Sequence, residues 1–114
     1  MHAGAYNISC EQGATLSRTL VYRDAADVPI PLGGYTAKME VRDPVTRAVA
    51  ATLSTADGSI VLGGPAGTVA LVLTATATNA LTPGVYIYDL ELTSGTVVTR
   101  MIEGTFNVRP QVTL

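Results

Sequence analysis

Alternation of apolar and polar residues with a period of two is the feature that most constrains this chain, and it recurs from one end to the other. Residues 37–42 are the clearest case, because Ala37, Met39 and Val41 alternate with three charged residues. Such alternation is typical of a β-strand with one buried face. It predicts further strands over residues 6–10, 16–22, 49–53, 60–62, 69–73, 86–92 and 97–103, followed by residues 105–109.

Glycine and proline turns separate these runs, and no long helical segment lies between them. Ser94-Gly95 predicts a tight hairpin, because Gly supplies the positive φ that such turns need. Residues 105–109 are expected to form either a ninth strand or a continuation of the preceding strand past Gly104, with Gly104 marking a bulge. The one helical candidate, residues 76–81, is predicted to be a single turn that carries the chain from one sheet to the other. We therefore predict an all-β fold, an antiparallel immunoglobulin-like β-sandwich of about 7–9 strands.

Two tyrosines fit a local feature of such sandwiches. Tyr86 and Tyr88 lie near the start of a late strand, where an immunoglobulin-like domain has a tyrosine that hydrogen-bonds backwards onto the preceding corner. Either ring could also simply fill the core. The length of 114 residues suits one core. We expect one β-sandwich domain over residues 1–114, with short N- and C-terminal arms.

The residues that usually carry catalysis or bind metals are scarce. The only histidine, His2, lies outside the predicted strands, so a nucleophile with a histidine base is not expected and neither is an enzyme. One Cys and one His cannot form a zinc site. Asp24 and Asp27 could hold Ca²⁺, but a turn is the more common role for such a pair. We expect no catalytic residues, no metal and no cofactor.

Cys10 is the only cysteine, so no disulfide can form within the chain. Its place in a strand-like run predicts a small buried apolar side chain, and the alternative is a disulfide between two copies. The apolar stretches are shorter than the ~20 residues of a membrane helix. The first residues also lack the basic region and apolar stretch of a secretory signal. We expect no membrane association.

Charged residues make up 14% of the sequence, against about 25% in ordinary soluble domains. Much of the exterior must therefore be small, hydroxylated or apolar. Such a surface suits contact with other chains, and the alternative is a neutral solvent-facing surface on a monomer. The net charge is −2 and the basic residues are scattered in the sequence, so nucleic acid is not an expected partner.

The order of several segments resembles a family of small tailed-phage virion proteins. The resemblance is to the N-terminal β-sandwich domain of phage baseplate upper proteins, and it spans almost the whole chain. The segments that carry it are Tyr6-Asn-Ile-Ser-Cys-Glu-Gln-Gly13, Val28-Pro-Ile-Pro-Leu-Gly-Gly-Tyr35, Ala37-Lys-Met-Glu-Val-Arg42, Leu81-Thr-Pro-Gly-Val-Tyr-Ile-Tyr-Asp-Leu-Glu-Leu92 and Glu103-Gly-Thr-Phe-Asn-Val108.

The resemblance implies a structural protein of the virion, present in several symmetric copies. It would join the tail or baseplate to host-recognition fibres, or decorate the head. The sequence matches only the first domain of a baseplate upper protein, which leaves the fibre-linking role without the segment that holds a fibre. The implied partners are other virion proteins and copies of this chain in a symmetric homo-oligomer.

Contacts are expected at sheet edges, at apolar loop tips and at the two arms, residues 1–6 and 109–114. The alternative function is a carbohydrate- or receptor-binding module on the virion exterior. An exposed Tyr35 beside Arg or Asp groups in a groove would favour that alternative. The residues expected at protein contacts are Met1, His2, Tyr6, Arg109, Pro110 and Leu114.

Overall fold

The alternating segments form two β-sheets in this computed structural model, which describes residues 4–112. A short 3-10 helix, Gly64–Ala66, and one α-helix, α1 (Ala75–Asn79), interrupt the strands. The prediction of an all-β sandwich is confirmed, and the immunoglobulin-like arrangement stays a prediction. The strands are β1 (Gly4–Ala5), β2 (Ile8–Glu11), β3 (Leu16–Val21), β4 (Thr36–Arg42), β5 (Val49–Ser54), β6 (Ile60–Leu62), β7 (Thr68–Leu73), β8 (Gly84–Ser94) and β9 (Val97–Arg109).

The two sheets differ in size. The larger sheet has the order β1-β9-β8-β4-β5, and β2 also pairs with β9. The smaller sheet has the order β3-β7-β6. β1 and β2 run parallel to β9, whereas every other strand pair is antiparallel. Helix α1 carries the chain from β7 in the smaller sheet to β8 in the larger one, as predicted.

The core lies between the sheets and takes alternate residues from both. Phe106 of β9 is fully buried, and its ring meets Tyr88 of β8 edge-on with 6.4 Å between ring centroids. Leu71 of β7 is fully buried on the smaller sheet. Each such side chain contributes about 1.5–3 kcal/mol by leaving water. This burial stabilises the fold without a disulfide, since Cys10 is itself buried as a free thiol.

Two strands depart from the predicted pattern because of irregular register. The pairing of β4 with β5 shifts between Val41 and Arg42, which turns Val49 outwards although the alternation predicts it inside. The predicted continuation of the strand past Gly104 is confirmed, but the bulge predicted at Gly104 is wrong. β9 continues through Gly104, and the register shift lies opposite Leu90, where β9 has the extra residue Met101.

Gly104 instead allows the N-terminal segment to pack closely against β9. A Cβ at this position would overlap the carbonyl of Tyr6, so only glycine allows the N-terminal segment to lie this close. Tyr6 was predicted to share a buried face with Ile8, but it lies between β1 and β2 and is exposed. Its carbonyl instead accepts a hydrogen bond from the Tyr88 hydroxyl.

The late strands carry two further features that the sequence indicated. The Tyr86 hydroxyl donates to the carbonyl of Thr82 at 2.6 Å, which is the backward hydrogen bond expected of one of the two tyrosines. Ser94 pairs with Val97, so the hairpin turn is Gly95-Thr96, one residue later than predicted. Gly95 has φ 60°, in the left-handed region that favours glycine.

Candidate functional site

The outward side of the larger sheet concentrates charge through cross-strand pairing. Glu40 of β4 lies opposite Asp89 of β8, and Asp89 lies opposite Glu103 of β9. Three carboxylates therefore stand side by side across three strands. Like charges at directly opposed positions repel each other, so this row of three carboxylates needs basic side chains at the adjacent cross-strand positions to offset the repulsion.

Basic residues in the neighbouring rows compensate part of this charge. Arg42 Nη2 lies 3.1 Å from Glu40 Oε1, and Arg100 Nε lies 3.3 Å from Asp89 Oδ2. Among residues 4–112, Glu103 has no ion-pair partner. The charged residues on the outward side of β4, β8 and the middle of β9, together with Arg47 in the β4–β5 turn, are here called the charged face: Lys38, Glu40, Arg42, Arg47, Asp89, Glu91, Arg100 and Glu103.

The charged face holds half of the 16 charged residues of the chain, seven basic and nine acidic. Most of it lines an open depression of about 760 Å³. Arg47 reaches the depression from a turn in which it adopts a φ of 65°, an uncommon value for a residue other than glycine. Chemically, this depression offers fixed charges of both signs to a polar partner.

The outward side of the smaller sheet is the opposite case. β7 is its central strand, and Ala70 there lies between Thr19 of β3 and Val61 of β6. No charged side chain points outwards from these three strands. The outward residues are here called the neutral face: Ser17, Thr19, Val21, Val61, Thr68, Ala70 and Val72.

Of the residues predicted at contacts, the three that the structure describes, Tyr6, Arg109 and Pro110, belong to neither the charged face nor the neutral face. Met1, His2 and Leu114 fall outside the described residues. Tyr6 is exposed beside β1, and Pro110 is exposed after β9.

The C-terminal segment is attached to the loop after β2. Arg109 follows Val108 at the end of β9, where its Nη1 lies 3.7 Å from Glu11 Oε1 and its carbonyl accepts from the amide of Gln12. The Gln111 amide donates to Gln12 Oε1 at 3.1 Å. This places the predicted Arg109 and Pro110 at one end of the sandwich, in a segment that packs on its own chain.

A buried threonine holds the same end together. Thr78 of α1 is fully buried, and its hydroxyl accepts from the Gly13 amide at 3.1 Å and lies 2.8 Å from the carbonyl of Ala14. Gln12 Nε2 donates to the carbonyl of Leu81 at 3.0 Å. The loop between β2 and β3 is thus tied to both α1 and the C-terminal segment.

Cys10 lies in the core, which bears on the alternative of a disulfide between copies. Its side chain is fully buried in β2. Burial raises the pKa of the Cys10 thiol, an effect that nearby Arg18 opposes. Because the thiolate is the reactive form, this environment disfavours disulfide exchange.

Asp24 and Asp27 form a turn. Asp24 Oδ1 accepts hydrogen bonds from the amides of Ala26 and Val28 at 2.9 and 3.0 Å, while Asp27 lies 3.7 Å from Arg23. Within residues 4–112, no three His, Cys, Asp or Glu side chains are grouped so that they could hold a metal ion. The same part of the chain contains no helix of the length and apolar character that crossing a membrane requires.

Tyr35 does not meet the condition set for sugar or receptor recognition. It is half-buried against the core and borders a shallow depression with Lys38, Thr55 and Ala56. No Arg or Asp side chain lines that depression. The structure therefore gives the carbohydrate-binding alternative no support at Tyr35.

Sequence reasoning missed the concentration of charge on one sheet. The alternation does place Lys38, Glu40 and Asp89 outside, but it treats the basic residues as scattered. The charges gather only because β4, β8 and β9 are neighbours. An exposed Lys-x-Glu-x-Arg strand and an exposed Asp-x-Glu strand were the available signals, and their adjacency was not readable from the sequence.

Comparison with known proteins finds no protein family whose sequence model matches this chain and no curated protein that matches it.

Proposed function

We propose that this chain is a non-enzymatic structural protein of a bacteriophage virion, an assembly module of the tail or baseplate or a decoration protein of the head. The observation that carries the proposal is the neutral face. Its seven outward residues include no charge, although nine acidic and seven basic residues were available to cover the exterior. A surface of this kind loses little solvation when another chain covers it.

The contrast with the charged face supports an oriented assembly. Charged side chains are depleted at the centres of protein interfaces because burying them without partners is costly. The neutral face avoids that cost, and the charged face would incur it unless the partner matched its charges. In the proposed assembly the neutral face therefore lies against sister or partner subunits.

The link to a virion rests on the resemblance of the chain to the N-terminal domain of phage baseplate upper proteins. That resemblance includes residues 81–92, which form the corner before β8 and most of that strand. The neutral face supports the same proposal independently of the resemblance, since a virion module works through contacts between copies and neighbours.

Quantitative mass spectrometry of purified phage particles tests the proposal. Particles from a phage that encodes this chain should contain it in several copies, at a fixed ratio to the major tail or head proteins. The matched control is the soluble lysate after the particles have been removed. Detection of the chain only in the soluble fraction would overturn the proposal.

A further inference from the structure

The open edge of β3 has the geometry of a pairing site. β3 has β7 as its only strand neighbour among residues 4–112. The Tyr22 amide donates to the Gly67 carbonyl at 2.8 Å, in register with the β3–β7 pairing. Backbone groups alternate in direction along a strand, so those of the even-numbered residues face β7. The amides and carbonyls of Ser17, Thr19 and Val21 therefore point away from the sheet.

Two other strand edges are less suited to pairing. The β5 edge is interrupted by the register shift, and the Ser59 hydroxyl occupies both the amide and the carbonyl of Ser54. β6 has only three residues. By comparison, β3 has six residues and contains no proline, and its outward backbone groups are open except for the Ser17 carbonyl, which accepts one hydrogen bond from Arg18 Nη1.

The β2 edge carries its own obstacles. Arg18 Nη2 donates to the carbonyl of Ser9 at 3.2 Å, which occupies an outward acceptor of β2. Glu11 adds a charged side chain to the same short strand. The edge of β3 is thus the longest one without a bulge or a charge on its outward-facing residues.

We propose that two copies of this chain pair antiparallel through β3, about a two-fold axis at Thr19. Thr19 would face Thr19 of the second copy, and Ser17 would face Val21 in both directions. Each of these pairs exchanges two main-chain hydrogen bonds. The same patch serves both partners, as a two-fold contact requires.

Charge favours this register. Arg18 is the only charged residue of β3, and the two-fold axis at Thr19 places it opposite Leu20 of the second copy rather than opposite another Arg18. The Ser17 carbonyl already accepts from Arg18 Nη1 at 3.0 Å, and its second lone pair can accept the amide of Val21 from the other copy. Pairing therefore leaves no like charges directly opposed.

The pairing would also extend the neutral face. Two smaller sheets would join into one sheet, with an uncharged outward side of twice the width. This inference rests on the proposed structural function and names the partner as a second copy. The symmetric dimer would then be the unit of the assembly, and it would present one wide neutral surface to the other subunits.

A charge swap at Thr19 tests the pairing. Thr19 is exposed, so Thr19→Lys and Thr19→Glu should each fold. Like charges would meet on the axis, and the dimer dissociation constant should rise about tenfold or more in each variant. An equimolar mixture of the two variants should restore dimers. Analytical ultracentrifugation gives the dissociation constants, and circular dichroism checks the fold.

Thr52→Lys is the matched control, because Thr52 is an exposed threonine on the opposite edge strand, β5. It should dimerise as the wild type does. A monomeric wild type, or Thr19 variants that dimerise like it, would overturn the inference. Either result would leave the proposed virion function standing if the chain is present in purified particles, so the two failures are distinguishable.

Discussion

The outward sides of the two sheets present opposite surfaces, although both cover the same core. The larger sheet carries three carboxylates in one row, Glu40, Asp89 and Glu103, with basic side chains in the adjacent rows. The smaller sheet exposes hydroxyl and small apolar side chains such as Thr19 and Ala70. Neither outward side contributes to the buried core, so the difference indicates which side is suited to solvent and which side is suited to contact with another chain.

The largest effect should come from placing one charge at the centre of each face. Ala70→Glu puts a carboxylate between Thr19 and Val61 on the neutral face, while Ile87→Glu puts one beside Arg42 on the charged face. We expect Ala70→Glu to lower the affinity of the chain for the assembled particle about hundredfold, because an unpaired charge would be buried where the neutral face meets a neighbouring subunit. Ile87→Glu should leave this affinity unchanged. Titration of each variant onto particles that lack the chain measures both affinities, and equal losses would remove the distinction between the faces.

The inner sides of the two sheets can be compared by alkaline unfolding. Burial raises the pKa of Tyr88 in the larger sheet and, less strongly, the pKa of Tyr22 at the end of the smaller one. Above about pH 10 the unfolded chain loses these protons while the folded chain keeps them, so stability falls as pH rises. Tyr88→Phe should reduce this fall more than Tyr22→Phe.

Urea unfolding between pH 8 and 11.5 measures that comparison. Near pH 8, Tyr88→Phe should also lose about 1 kcal/mol, because its hydroxyl no longer donates to the Tyr6 carbonyl. The slope above pH 10 separates the two effects. An unchanged slope in Tyr88→Phe would contradict the expected titration.

A smaller effect should come from the unpaired end of the carboxylate row. Glu103→Lys replaces a repulsion across from Asp89 by an attraction, and we expect the free energy of unfolding to rise by about 0.5–1 kcal/mol. Association should not change, because the side chain belongs to the charged face. Glu11→Lys is the control, since it breaks the exposed pair with Arg109 instead. A lower free energy of unfolding in Glu103→Lys would show that repulsion within the row of carboxylates does not destabilise the fold.

The sequence predicts local features of this fold well, because they depend on neighbouring residues. Alternation assigned the buried side of β4 and β8 correctly, and a tyrosine was expected to bond back onto its corner, as Tyr86 does. The errors lie where distant segments meet. Tyr6 and Gly104 approach across about 100 residues, and this contact sets both the exposure of Tyr6 and the need for glycine.

The candidate surfaces were predictable only in part, for the same reason. Outward residues could be named from the alternation, but a face is defined by which strands lie side by side. Glu40 and Asp89 are about 50 residues apart, and no local pattern sets their register. Arg18 is a further example. The alternation places it on the inward side of β3, and its guanidinium group donates to the carbonyl of Ser9 in the other sheet, a contact that no local pattern predicts.

The most direct test compares identical side chains on the two faces. Val61 and Val72 are 56% and 38% exposed on the neutral face, and Val85 and Val98 are 58% and 57% exposed at the outward ends of the larger sheet. Hydroxyl-radical footprinting should be run on the dilute chain and on the chain assembled in purified particles. We predict that assembly protects Val61 and Val72 and leaves Val85 and Val98 labelled. Protection of Val85 and Val98 alone, or of no valine, would contradict the assignment of the neutral face to contact with other chains.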